Sequence, residues 1–485
     1  MKKELTLFGF VVAVQAALGA GGIFSNSNQS AEYLRTFDRN SAVDNADIAY
    51  YNMAGTVDLD PGWTFNFSNQ TIFQRASVRT KGNPVLGDRE WVSRNPAWLV
   101  PNLYAVHRRG RLALFTGLET IGATAIRDWK EGLPTLDLLG KEQVGYGGAG
   151  GPLRAGDAYA AALQAGLSPA QAQAAAVAAG LDASPYPSRS TLKGSSATLA
   201  WRHGAAFRVA PWLALAAAGR LVVARQDLVG RVDAACTYNA QGHDLREQAR
   251  ILLDTTDRAV GYSGELGLNL NPGAGMVLSF TCEWATPLTF RTTVREGRDG
   301  GGRVQDGARA RLDLPQVLRL GLGWQLTPSL RASLGINQYQ EASADFSLLA
   351  NPRNHNDPKR DYGNTREAGV ALEYRISRPW LVSLGVNFNR IGQAQAATTD
   401  LSLPGAHADY LSLGAGFQVQ PRAGLKLNVG LGHTRFLHRY EVADVQGDQR
   451  LQAAFAAQGV AIQPRKEYDK RYLILAFGLE VHCPR

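Results

Sequence analysis

Cysteine is nearly missing from this chain. Cys236, Cys282 and Cys483 are the three in 485 residues. They are odd in number and lack metal-ligand spacing, so no disulfide framework exists, although an oxidising compartment leaves one bridge open to them. Long apolar runs are also missing: past residue 18 no stretch reaches the roughly 18 apolar residues of a spanning helix. The charged fraction is low, 19% against 45% apolar residues, which argues against disorder. No Gly-x-Ser-x-Gly elbow occurs; Gly261-Tyr262-Ser263-Gly264 is one residue short. His203, His243, His407 and His433 have no metal-type pairing. No catalytic residue, metal site or cofactor is therefore expected. The net charge of +9 is spread out, often beside acids as in Arg353 to Arg360, with no clustered basic helix. That excludes nucleic acid as a partner and leaves solvated loops, or loops facing anionic lipid.

Residues 1–20 read as a secretory signal. Lys2 and Lys3 form the basic start, Leu5 to Leu18 the apolar core, and Gly19 to Gly22 a small-residue cleavage region. An exported chain without spanning helices is either periplasmic or a barrel.

What the chain does have is alternation. In Leu411–Gln420, Leu411, Leu413, Ala415, Phe417 and Val419 share one face, and Ser412, Gly414, Gly416, Gln418 and Gln420 the other. Six short Pro/Gly turns join such runs: Arg109-Gly110, Ala210-Pro211, Asn271-Pro272-Gly273, Thr327-Pro328-Ser329, Arg378-Pro379 and Gln420-Pro421-Arg422. Long polar stretches make the other connections. Short turns at one end and long loops at the other are the plan of an outer-membrane barrel.

The strands are predicted at 63–79, 95–108, 111–123, 192–209, 212–232, 254–271, 274–295, 309–327, 330–347, 361–377, 380–392, 407–420, 424–440 and 466–482. The fold class is all-β, a 14-stranded antiparallel transmembrane β-barrel over residues 63–485. Trp212, Trp324 and Trp380 lie beside short turns, where an aromatic girdle would sit.

Two segments are surplus to the barrel. Residues 21–62 lack long alternation; they are expected to fold back as a plug in a lumen otherwise wide enough for water. The long loop 124–191 carries a helical pair. Asp157 caps the first helix, which Gly166 ends; Ser168 caps the second, with Pro169 at its first position. Tyr159, Leu163, Leu167, Val177 and Leu181 give the pair an apolar side. That side is either a lid on neighbouring loops or an exposed landing site for a hydrophobic solute.

Phe24 through Gly55, FSNSNQSAEYLRTFDRNSAVDNADIAYYNMAG, resembles the hatch of the FadL/TodX family of outer-membrane transporters for long-chain fatty acids and aromatic hydrocarbons. The family segment closes on Tyr-Asn-Pro-Ala-Gly; here it is Tyr51-Asn52-Met53-Ala54-Gly55, so Met53 replaces the proline. Gly219 to Ala224, Glu283 to Leu288 and Gly307 to Pro315 resemble family strand and loop signatures. The last strand lacks the terminal aromatic residue common in such barrels, and the chain ends His482-Cys483-Pro484-Arg485.

The resemblance implies passive, ligand-gated uptake of a hydrophobic small molecule. The solute binds among the loops, enters an apolar pocket and leaves sideways when the hatch shifts against a kink in the third strand. It implies that Phe24 lies against the ligand and that Asn52 and Ala54 hold the hatch to the wall. Gly117 is the candidate kink residue, with close packing as its other reading. The expected partners are that solute, outer-membrane lipid and lipopolysaccharide, with the chain monomeric in the outer membrane. The competing reading is a general diffusion porin for small polar solutes.

Overall fold

The computed structural model describes residues 25–81, 88–134, 136, 161–172, 183–185, 189–240, 243–298, 305–347, 363–392, 409–437, 440–443 and 465–484. The predicted signal segment lies outside them. The strands are β1 (Gly62–Lys81), β2 (Glu90–Arg109), β3 (Leu112–Trp129), β4 (Arg189–Ala210), β5 (Leu213–Ala240) and β6 (His243–Gly273). Next come β7 (Met276–Glu283, resumed at Thr289–Arg298), β8 (Arg309–Arg311, then Val317–Thr327), β9 (Leu330–Tyr339) and β10 (Thr365–Arg375). The last are β11 (Trp380–Arg390), β12 (Tyr410–Arg422), β13 (Leu425–Phe436, resumed at Tyr440–Ala443) and β14 (Arg465–Pro484).

Each strand pairs antiparallel with its sequence neighbour, and β14 closes on β1 from Gly62↔Pro484 to Lys81↔Arg465. The result is a closed barrel of 14 strands. Closure removes the free edges that would otherwise recruit another chain. Outward residues are apolar: Trp63, Phe65, Phe67 and Phe73 on β1, and Val382, Leu384, Val386 and Phe388 on β11 are all exposed. An exposed apolar face on every side is a lipid-facing wall. No helix among the described residues is long and apolar enough to cross a membrane.

Two short turns lie further along than predicted. β6 runs through Pro272 to Gly273 and turns on Ala274 and Gly275, both at positive φ. β12 runs through Pro421 to Arg422 and turns on Ala423 and Gly424 (φ 76°). Register shifts at Leu270/Gly273 and Val419/Arg422 put each proline in a bulge, where no ladder N–H is required of it.

The predicted loop 233–253 is also mostly strand, because β5 and β6 stay paired out to Ala240↔His243. Beyond the membrane both faces of a strand meet water, so the apolar alternation that marks a strand disappears. Conversely, β7 and β8 are interrupted at 284–288 and 312–316, at Pro287 and Pro315, where one bridge joins Thr286 to Leu314.

Residues 26–59 sit inside the barrel and are almost entirely buried. They form α1 (Ala31–Thr36), α2 (Ile48–Tyr51) and a 3-10 turn (Met53–Asp58). Ser30 caps α1 by accepting from the Tyr33 amide at 2.9 Å, and Phe37 ends it in the left-handed region at φ 51°. The wall makes room with inward glycines: a Cβ on Gly385 would lie 1.7 Å from the Thr36 carbonyl oxygen, and one on Gly414 2.4 Å from that of Leu34.

Candidate functional site

The inner surface changes along its height. Toward the short-turn end polar side chains are prominent, among them Asn66, Ser68, Asn269 and Asn428. Toward the long-loop end apolar side chains gather, Val78 on β1, Trp91 on β2, Trp129 on β3, Leu228 and Val232 on β5, Leu253 on β6 and Phe290 on β7, with Ser93, Ser190, Gln226, Thr255 and Asp257 buried among the same stretches. The plug occupies the polar part.

There it meets two groups of buried charge. The first crosses six strands. Glu119 pairs with Arg202 at 2.9 Å and Arg202 with Glu265 at 2.7 Å. Glu265 stands 3.7 Å from Arg220, Arg220 pairs with Glu283, and Glu283 with Arg319 at 2.9 Å. Three acids and three bases balance, as burial in a low dielectric demands. The ring of Tyr50 lies between them, 4.9 Å from the Arg202 guanidinium and 4.6 Å from that of Arg319. Arg319 also donates to the Tyr50 hydroxyl at 3.0 Å.

The second group faces α1. Glu367 accepts from Tyr33 (2.7 Å), Ser27 (3.0 Å), Asn387 (2.7 Å), Asn337 (3.0 Å) and Tyr339 (2.8 Å). Arg35 and Arg331 both pair with Glu373, at 2.6 and 2.9 Å. Glu32 accepts from Asn66 at 2.7 Å and Asn428 at 2.8 Å. Burial, with Asp47 nearby, pushes its carboxyl up to about 7.

One part of the wall is unpaired. The β2–β3 ladder stops at Leu103↔Leu118, although β2 goes on pairing with β1 and β3 with β4. Register shifts in β3 fall at Thr120/Gly122 and Gly122/Ala125. Glu119, Thr120, Ile121 and Gly122 are all buried, where alternation would expose every second one, so the strand has left the lipid face. On β2 the bulged Trp98 and Leu99 point out, 63% and 71% exposed.

The plug occupies this break. The Asn26 amide donates to the Ile121 carbonyl at 2.8 Å. The Asn26 and Gln29 side chains donate to the Thr120 carbonyl at 3.1 and 2.8 Å. Asn102 accepts from the Thr120 amide at 2.8 Å. Backbone groups that lost their ladder partners thus find replacements, the carbonyls on the plug and the Thr120 amide on the Asn102 side chain of β2.

Of the residues singled out in the sequence, the five of the closing motif come together, all buried. Tyr51 stacks on Tyr33 with centroids 5.3 Å apart and donates to the Ser27 carbonyl at 2.9 Å. Asn52 caps the 3-10 turn by accepting from the Gly55 amide at 3.2 Å, and donates to Asn269 of β6 at 2.9 Å. Met53 opens that turn, a position where an N–H lacks an intrahelical acceptor, so proline would fit there too. Its side chain fills the space a Cβ on Gly267 would take, 2.6 Å away. Ala54 is buried, and a Cβ on Gly55 would meet the Asn52 side chain at 2.5 Å.

Gly117 stands inside the regular ladder, paired with Tyr104 and Arg202. A Cβ there would lie 2.8 Å from the Tyr104 ring, so this glycine is a close-packing one. The irregularity of β3 begins three residues on, at Thr120. In the long loop, residues 161–164 and 169–172 are helical, Gly166 has φ 78°, and Ser168 and Gln171 bond reciprocally. Leu163 and Leu167 are 41% and 42% exposed. Phe24, Tyr159, Val177 and Leu181 lie outside the described residues.

The charge ladder was missed by sequence reasoning. The available signal was a lone Arg or Glu at an inward position within an apolar strand, which is costly there unless paired. Among the described residues no three His, Cys, Asp or Glu could hold a metal ion, and Cys282 and Cys483 are free thiols.

No family model and no curated protein sequence matches the chain. Solved structures do. A Pseudomonas aeruginosa FadL homologue superposes with a TM-score of 0.61 at 14% identity, over 95% of this chain and 100% of that one. The Pseudomonas putida toluene transporter TodX gives 0.56 at 14%, over 94% and 99%. The Ralstonia pickettii toluene transporter TbuX gives 0.52 at 13%, over 90% and 94%. At these identities the likeness is one of fold.

Proposed function

We propose that the chain is a member of the FadL/TodX family and a passive outer-membrane channel for hydrophobic compounds. The observation that carries this reading is the apolar inner layer lying beside a wall break that the plug covers. The hatch-like sequence of Phe24 to Gly55 and a fold shared with FadL and TodX support it. A hydrophobic solute is taken up among the extracellular loops, where Leu163 and Leu167, with Tyr159, Val177 and Leu181, form the landing site. It then enters the apolar layer.

Residues 26–29 withdraw from Thr120 and Ile121, and the solute leaves between β2 and β3 into the membrane. A sideways exit spares it the polar lower lumen, where each CH₂ exposed to water costs roughly 0.8 kcal/mol. The ladder around Tyr50 and the Asn52–Asn269 bond keep the rest of the plug seated while its leading residues move. Phe24, just ahead of Asn26, is the residue that meets the solute.

The test is transfer into lipid vesicles holding the purified protein. Acceleration of fatty-acid or toluene transfer with slow sugar swelling is the expected result. Rapid sugar swelling without that acceleration would replace this reading with a general diffusion porin.

A further inference from the structure

The outer face of the wall carries charge that neither the plug nor the β2–β3 break uses. Along β1 the outward side chains are Trp63, Phe65, Phe67, Asn69, Thr71, Phe73 and then Arg75. At about 3.3 Å per residue and a tilt of about 40°, Trp63 to Phe73 covers roughly 25 Å, the height of a lipid-facing band. Arg75 is therefore the first outward residue past that band at the long-loop end. Strand register sets Arg94 of β2 and Arg471 of β14 directly opposite it, and Arg435 of β13 opposite Arg471. A second row has the same construction. Arg225 of β5, Arg258 of β6, Arg291 of β7 and Arg309 of β8 are successive cross-strand partners, placed just past the outward Leu221 and Val223.

Like charges on directly paired positions repel, with Cβ atoms about 5 Å apart. Carboxylates of the chain answer only part of this. Arg75 pairs with Glu90 at 2.8 Å and Asp469 at 3.2 Å, and Arg225 with Asp227 at 2.8 Å. Among the described residues Arg94, Arg435, Arg471, Arg258, Arg291 and Arg309 have no ion-pair partner, and all six are exposed. Six guanidinium groups with no carboxylate partner among the described residues thus stand in two rows past the apolar band, where an outer leaflet has its head groups.

Under the first row runs a groove. Arg75, Arg94 and Arg471 line it together with Phe73, Pro96, His433 and Leu473, so cations border a hydrocarbon surface. An occupant with an anionic head and a hydrocarbon tail matches both borders.

We propose that the two arginine rows bind the phosphate groups of a phosphorylated glycolipid of the surrounding outer leaflet, with an acyl chain in the Phe73–Leu473 groove. Arginine suits phosphate because its planar fork donates two parallel hydrogen bonds. The proposal rests on the outer-membrane placement argued above. It sets a lipid beside the proposed exit, because Arg94 belongs to β2, one border of the break.

The test uses the purified full chain in detergent, titrated with bis-phosphorylated lipid A and followed by native mass spectrometry. Dephosphorylated lipid A, phosphatidylglycerol and inorganic phosphate serve as comparisons. Wild type is expected to retain phosphorylated lipid A, and R94Q/R435Q/R471Q and R258Q/R291Q/R309Q each to lose roughly tenfold or more in affinity. Dephosphorylated lipid should bind wild type as weakly as the phosphorylated lipid binds the variants. Unchanged binding in both variants, equal binding of the dephosphorylated lipid or of phosphatidylglycerol, or displacement by millimolar inorganic phosphate would overturn it. Heat-dependent gel mobility verifies that the variants fold. Solute transfer in vesicles without glycolipid reports on the transport reading alone, so the two ideas fail separately.

Discussion

Replacing Asn26 and Gln29 by alanine tests the seal at the wall break directly. Both side chains donate to the Thr120 carbonyl, at 3.1 and 2.8 Å, and that carbonyl has no partner on β2. Truncating both leaves a buried acceptor orphaned, worth about 1–3 kcal/mol. The Asn26 amide keeps its bond to Ile121, because a backbone group survives the substitution. At 1.4 kcal/mol per factor of ten, the segment should open about 5 to 150 times more often. Hydrogen exchange read on a peptide covering 25–36 should accelerate by that factor. The ladder between β11 and β12, which the segment does not complete, should exchange as before. No acceleration, or equal acceleration everywhere, would refute the claim that these side chains hold the plug to the break.

Three further outcomes are expected. In Gly385→Val the added Cβ collides with the Thr36 carbonyl, 1.7 Å from its ideal position, so α1 must move. Ion conductance across a planar bilayer should rise, with heat-dependent gel mobility unchanged; wild-type conductance would count against a lumen sealed by α1. Folding raises the Glu32 carboxyl from 4.5 to about 7, so its ionised form is disfavoured in the seated plug. The hold is strongest below about pH 4.5 and weakens by about 3 kcal/mol as pH climbs to about 7. Plug exchange should follow that rise in wild type and lose it in Glu32→Gln; an identical pH profile would refute the assignment. Leu163→Ser with Leu167→Ser should shift solute transfer to severalfold higher concentration without altering ion conductance, and an unshifted curve would remove these residues from the landing site.

Much of the fold was legible because its causes are local. Alternation such as Leu411 to Val419 fixes which side chains face lipid, and parity within a strand does not depend on its neighbours. The turns at Gly110 and Pro211 stand where the sequence put them, since φ preferences belong to single residues. Those at Asn271-Pro272-Gly273 and Gln420-Pro421-Arg422 lie further on because cross-strand register, a property of two strands, moved the prolines into bulges. The strands between 233 and 253 were hidden for another local reason: outside the bilayer no apolar face marks them.

The site divided in the same way. Tyr51 to Gly55 could be found as a continuous stretch, and the N-cap roles of Asn52 and Ser30 are written within three or four residues. The kink was sought at a glycine, yet Gly117 stays in register and the strand leaves at Thr120, where the hydrogen bonds come from Asn26 and Gln29, 91 to 94 positions away. The sequence by itself determined a lipid-facing barrel with a segment too polar for its wall. Only the tertiary structure decided that this segment caps a break between β2 and β3, that Tyr50 sits between two arginines, and that six buried charges from six strands neutralise one another. Those facts depend on closure of the barrel, which brings together residues that no local propensity links.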